Sequence, residues 1–299
     1  MPNEYTYKSS TGPSTSDYQI KGSPDADTPQ KHVFAIEGLG GFPQLNPDRD
    51  GELNPPADPW DPSQWRQGTA LSGSQVVNFW KKAALEAGDD VVWHYYAQRH
   101  VSEIVRDIEK IAKEEFVDEN GETIYHTIVI LGYSNGGHAA VQVAKKLEAG
   151  GLLNRQPGVK IDLVITVDPI RKVFQGFLLD RVDPLKRLEF TKGPNVSSWR
   201  NYFQNIDTGS VSVPVWDPIQ RKFTRLSVVS LHGNVVQNAD LNRVLGLQDF
   251  APRWGHFGAD NIKNLAHILI PSLTPVTSDI TNQIKELPSS RSDWRFQNR

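Results

Sequence analysis

The chain contains no cysteine. That removes disulfides, thiolate metal centres and a cysteine nucleophile from consideration. It leaves the compartment open, because oxidising and reducing environments both tolerate such chains. No apolar run approaches the ~18 residues that would span a bilayer. The first residues, Met1-Pro2-Asn3-Glu4-Tyr5-Thr6-Tyr7-Lys8, lack the apolar core of a secretory signal. The expectation is a soluble protein, cytoplasmic or exported by a route without a cleavable signal, with no transmembrane segment. There is no excess of charge of one sign either. A formal charge of −3 with both signs mixed carries no nucleic-acid footprint. What remains is 299 residues, 38% hydrophobic and 22% charged, enough for a full core in one large α/β domain or two small ones.

Residues 1–30 are rich in Ser, Thr, Pro and Asp and read as a polar arm, with room for a short edge strand at Asp17-Tyr18-Gln19-Ile20-Lys21. Residues 287–299 read as a polar tail. Between them, over 31–286, apolar strands alternate with amphipathic helices. Val33 to Ile36 is a strand leading into Gly38-Leu39-Gly40-Gly41, and Val91 to Tyr96 is the next. Between those two strands Val76, Val77, Trp80, Ala83, Ala84 and Ala87 recur at helical spacing. Ser102 is a good N-cap for a helix whose Ile104, Val105, Ile108, Ile111 and Ala112 form one apolar stripe. Thr127 to Leu131 and Ile161 to Val167 are further buried strands, and Ser197 to Phe203 and Leu226 to Leu231 are expected to be strands. The last clear helix carries Ile262, Leu265, Ala266, Leu269 and Ile270. The pattern implies an α/β fold: a doubly wound, mostly parallel sheet with helices on both faces. Ligands of such sheets bind at the carboxyl ends of the strands.

One of those ends carries the most informative motif, Gly132-Tyr133-Ser134-Asn135-Gly136-Gly137-His138, between the strand at Thr127 to Leu131 and the helix from Ala139 to Ala149. A Gly-x-Ser-x-Gly in that position is a nucleophile elbow, whose strained turn lifts a serine hydroxyl above the sheet. The glycines are needed because side chains at 132, 136 or 137 would collide where strand and helix nearly touch. The helix N-terminus aims free N–H groups at the place where an oxyanion would form.

A serine hydroxyl needs a base, and the base an acid that holds its tautomer. Asp168 ends the strand after the serine's own, and His256 lies in Arg253-Trp254-Gly255-His256-Phe257-Gly258, just before the last clear helix. His232, at a strand end, competes for the base, and Asp207, one strand further on, competes for the acid. His267 lies inside a helix.

In these motifs and in the order Ser134, Asp168, His256 the chain resembles the α/β-hydrolase superfamily, in its serine esterase and lipase branch. The likeness follows element order over residues 33 to 270 and is close only at Gly38 to Gly41, Gly132 to Gly137, Val167-Asp168-Pro169 and Gly255-His256-Phe257. It implies an α/β-hydrolase fold and an acyl-enzyme mechanism with no cofactor. The oxyanion hole would be the backbone N–H groups of Leu39 and Asn135. Glu37-Gly38 stands where the family often has His-Gly. The expected activity is hydrolysis of a carboxylic ester, of a small molecule or lipid with an apolar acyl group. The same residues would serve an amidase, thioesterase or acyltransferase, and a silent hydrolase fold used for binding is the rival.

Two segments admit more than one reading. Asn46, Asp48 and Asp50, followed by Gly51, have the spacing of a calcium loop, but its twelfth position is Ala57 and prolines replace the flanking helices, so a solvated acidic loop is favoured. Residues 170–195 carry Val173, Phe174, Phe177, Leu178 and Leu179 between basic residues. They read either as a lid able to touch a membrane surface or as a helix packed on the sheet edge.

Overall fold

The structure is a computed structural model, and it describes residues 3–8, 17–22, 28–38, 80–98, 100–150, 157–170, 190–206, 210–217, 222–229 and 233–296. The strands of the first half are β1 (Asn3–Lys8), β2 (Asp17–Gly22), β3 (Lys31–Glu37), β4 (Val91–Ala97), β5 (Glu115–Val117) and β6 (Thr123–Tyr133). Helix α1 is described over 80–85, α2 spans Val101–Ile111 and α3 Asn135–Glu148. Then come β7 (Gly158–Val159), β8 (Ile161–Val167), β9 (Val196–Phe203), β10 (Ser210–Asp217), β11 (Lys222–Val229) and β12 (Leu241–Val244). The chain continues through α4 (Leu247–Trp254), α5 (Ala259–Leu269) and α6 (Thr274–Glu286) to β13 (Ser290–Arg291) and β14 (Arg295–Phe296).

The main sheet runs β12-β9-β8-β6-β3-β4-β1-β2, and along that path only β2 is antiparallel to its neighbour. This is a mostly parallel central sheet with helices, an α/β architecture. Parallel strands covered on both faces must be apolar at every position. Val33, Phe34, Ala35 and Ile36 accordingly are all fully buried. Val33, Ala35, Val129, Leu131, Leu163 and Ile165 pack with Trp80 of α1, Ala266 and Leu269 of α5, and Val276, Ile280 and Ile284 of α6. The alternate set, Phe34, Ile36, Ile128, Ile130 and Val164, packs with Ile104 and Ile108 of α2 and with Val143, Ala144 and Leu147 of α3. Among the described residues no helix is long and apolar enough to cross a membrane.

Several boundaries differ from expectation. Helix α2 begins at Val101, so its N-cap is His100 and not Ser102. The expected Leu226 to Leu231 strand is β11, which starts at Lys222 and, among the described residues, pairs only with β10. In the arm, β1 and β2 extend the sheet beyond β4. The expected tail does not hang free: β13 pairs with β6 and β14 with β7, and Trp294 is buried. Short strands join a sheet through backbone groups, which polar composition conceals.

Connectivity decides where such a sheet can receive a ligand. The chain leaves β3 toward β4 on one side and leaves β6 toward β8 on the other. The carboxyl ends of β3 and β6 therefore flank the topological switch point, where open α/β sheets form a crevice. Gly38 follows one of those strands and Ser134 the other.

Candidate active site

The turn from β6 to α3 is tight. A Cβ built on Gly132 would lie 2.7 Å from the carbonyl oxygen of Gly136 and 2.8 Å from Cα of Gly137. One on Gly137 would lie 2.6 Å from Cβ of Pro169. Ser134 takes φ 56° and ψ −122°, in left-handed territory that residues with side chains avoid unless their surroundings force them. What forces it is a set of backbone bonds. The Ser134 N–H donates to Val167 O at 3.0 Å, and its carbonyl accepts from Gly137 N at 3.0 Å and Ile170 N at 3.1 Å. Gly38 closes the other side, since a Cβ there would lie 2.7 Å from Ser134 Cβ.

The hydroxyl so presented meets a histidine, and it is His267. The Oγ of Ser134 lies 2.9 Å from Nε2 of His267, whose Nδ1 lies 2.6 Å from Oδ2 of Asp168. Hydrogen-bond logic sets the tautomer: Nδ1–H donates to the carboxylate, and Nε2 accepts from the hydroxyl. All three side chains are buried, with 3% exposure at Ser134, 0% at Asp168 and 6% at His267. Asp168 lies where the sequence placed it, at the end of β8, with φ 47°. Its N–H donates to Tyr202 O at 2.6 Å, and its carboxylate also accepts from Gln204.

The base expected at His256 is corrected. His256 lies in the 3-10 turn Gly255–Phe257, exposed, with its ring 4.2 Å from Phe257 and 6.1 Å from Trp254. His267 lies eleven residues on, in the last turn of α5. The loop before that helix faces outward, and the helix itself carries the imidazole back over the sheet. His267 stacks on Tyr133, ring centroids 5.2 Å apart. A signal for it was present in sequence. It sits next to Ala266 and three residues before Ile270, inside the apolar stripe, and a titratable ring buried there has to find a polar partner from another element.

The other sequence expectations divide. Asn135 opens α3 and is buried, and the first N–H of a helix has no acceptor within it, so its backbone donor suits an oxyanion. Leu39 lies outside the described residues, as do His232, Asp207, the candidate calcium ligands Asn46, Asp48 and Asp50, and residues 171–189 of the expected lid. His32 and His126, in the first halves of β3 and β6, cluster with His94 in the middle of β4, with Nδ1 of His32 2.9 Å from Nε2 of His94 and its ring 4.4 Å from that of His126. Among the described residues no group of three or more His, Cys, Asp or Glu side chains could hold a metal ion.

A buried serine hydroxyl, an imidazole within proton-transfer distance and a carboxylate behind the imidazole make a relay able to turn the hydroxyl into an alkoxide-like nucleophile. No family model matches this chain, and no curated protein matches it in sequence.

Proposed function

We propose that the protein is a serine hydrolase of the α/β-hydrolase type that cleaves carboxylic esters through an acyl-enzyme. The observation that carries this is the continuous chain from Ser134 Oγ to His267 Nε2 at 2.9 Å and from His267 Nδ1 to Asp168 Oδ2 at 2.6 Å. The strand order from β12 to β4, with the elbow between β6 and α3, supports the fold assignment. In this scheme Ser134 Oγ attacks the ester carbonyl as its proton passes to His267 Nε2. Asp168 stabilises the imidazolium, and the Asn135 N–H, with that of Leu39 as second donor, holds the tetrahedral oxyanion. Collapse expels the alcohol, which takes the proton from Nε2. Water then repeats the sequence on the acyl-serine and frees the acid. A preference for apolar acyl groups, and contact of residues 170–195 with a membrane surface, rest on the Val173 to Leu179 group in the sequence alone.

The same relay would serve an amide or thioester, or pass the acyl group to an alcohol acceptor. A fluorophosphonate probe tests the nucleophile: wild type should be labelled, and Ser134→Ala should lose both the label and ester turnover, by about 10⁴-fold or more, while staying folded. Turnover above a tenth of wild type in the pure, folded variant would refute the assignment. p-Nitrophenyl esters of graded chain length then read the acyl preference.

A further inference from the structure

The acid of the relay has a clasp of its own. Asp168 is completely buried, and its carboxylate takes three hydrogen bonds on two oxygens. Oδ1 accepts from the backbone N–H of Gln204 at 3.0 Å, and Oδ2 accepts from Gln204 Nε2 at 2.9 Å and from His267 Nδ1 at 2.6 Å. The Gln204 amide has one orientation only. Its Oε1 accepts from the N–H of Ile206 at 2.9 Å, which turns the NH₂ toward the carboxylate. Gln204 is itself fully buried at the end of β9, the strand beside that of Asp168. On the far side Gly233 donates its N–H to Gln204 O at 3.2 Å, and a Cβ at 233 would overlap Asp168 Oδ1.

We propose that Gln204 is the positioning residue of this site, holding the Asp168 carboxylate in the one rotation that serves His267 Nδ1. The inference rests on the Ser134–His267–Asp168 relay being catalytic. Rotation about the Cβ–Cγ bond of an aspartate is soft, so a buried carboxylate keeps its plane only if neighbours fix it. A neutral amide does this without cost to the relay. It supplies a donor but no positive charge, so its bond to the carboxylate leaves the charge of Asp168 to the imidazolium. A lysine or arginine at 204 would compete with His267 for the same charge.

Two variants test this, each compared with wild type for kcat, KM, the pH profile of kcat/KM, fluorophosphonate-titrated active fraction and thermal midpoint. Gln204→Met keeps the volume and the backbone donor but removes the amide. Per active site, kcat should fall about 10- to 100-fold with KM little changed. The low-field proton NMR signal of the Nδ1–H shared by His267 and Asp168 should move or vanish. Gln204→Glu sets a second carboxyl against Asp168, where the buried pair shares one proton; the protonated carboxyl donates as the amide does, so kcat should stay nearer wild type at low pH and fall as that proton is lost, adding a pH midpoint that wild type lacks. If both variants only lower the thermal midpoint, with kcat per active site within twofold, no added pH midpoint and an unchanged low-field proton, the positioning role is refuted. If wild type takes no probe and turns over no ester, the hydrolase reading has failed. The NMR comparison then still reads whether Gln204 sets the Asp168–His267 bond.

Discussion

Tyr133, the residue before Ser134, anchors the proposed base twice. Its ring stacks on His267, and its hydroxyl donates to the His267 carbonyl at 2.8 Å, tying the last turn of α5 to the end of β6. Trp80 packs edge-on against Tyr133 and donates Nε1–H to Pro271 O at 3.1 Å, which pins the chain just past that turn. An imidazole held by ring, backbone and two polar partners is preorganised, so losing it should cost transition-state stabilisation and not merely packing. His267→Ala should lower kcat on a soluble ester by about 10³-fold or more, and Asp168→Asn by about 10²- to 10⁴-fold, because an amide offers the imidazole the wrong partner. His256→Ala, at an exposed ring, should stay within about threefold of wild type. If steady-state kinetics showed the His256 variant dead and the His267 variant active, the assignment of the base would be reversed.

At the scale of elements, the elbow is a junction of three backbones: the end of β6, the first turn of α3 and Pro169 beyond β8. The atoms that a side chain at 132 would strike belong to the backbone of Gly136 and Gly137, which cannot swing aside. Gly132→Ala should therefore destabilise by about 1–3 kcal/mol through overpacking, or shift the α3 N-terminus and the hydroxyl with it. Gly255 is the control. It has φ −56° and ψ −26°, and a Cβ there would meet nothing within 4 Å. Gly255→Ala should be neutral or slightly stabilising, since the native backbone already suits alanine. Urea midpoints of the two variants check the contrast, and equal midpoints would show that the junction is looser than its geometry.

Across the whole molecule the site has a distant counterpart at the other end of the sheet, about 25 Å away along β6 at strand rise. His32, His94 and His126 are buried side by side there, with Glu114 at 3.2 Å from His126 Nε2 and the Gln30 N–H donating to its Nδ1 at 2.9 Å. Burial, reinforced by His94 and His126, holds the His32 imidazole well below its usual value. His126 is also lowered, mainly by burial, against the opposing pull of Glu114. Both shifts act in one direction. Above about pH 6.5 folded and unfolded chains are both neutral at these rings. Below it the unfolded chain takes up protons that the folded state refuses, so stability falls as pH falls. Each unit of depression contributes about 1.4 kcal/mol to that loss. Denaturant titrations at pH 7.5 and 5.0 should show wild type losing at least about 1 kcal/mol more than His32→Phe; equal losses would show that the cluster does not govern acid stability.

Local sequence carries the elements that bury both faces, because period and β-branching are properties of neighbouring residues. The strand at Thr127 to Leu131, the glycines around Ser134 and the strand ending at Asp168 are legible for that reason. So is the crevice, since alternation of strand and helix dictates a parallel sheet and ligands gather at its carboxyl edge. The histidine that faces Ser134 was not legible in the same way. His256 lies just before α5 and His267 in its last turn, and only the packing of α5 over Tyr133 and Trp80 decides which imidazole turns inward. Gln204 was equally silent, an amide at a strand end that gains meaning from a carboxylate 36 residues away in the chain. The C-terminal strands, too, pair with β6 and β7 through backbone groups that every residue but proline carries alike. Residue type and spacing thus settle what each segment can become, whereas the partner of a buried polar group is settled by which elements pack together, because a hydrogen bond is a relation in space that composition does not encode.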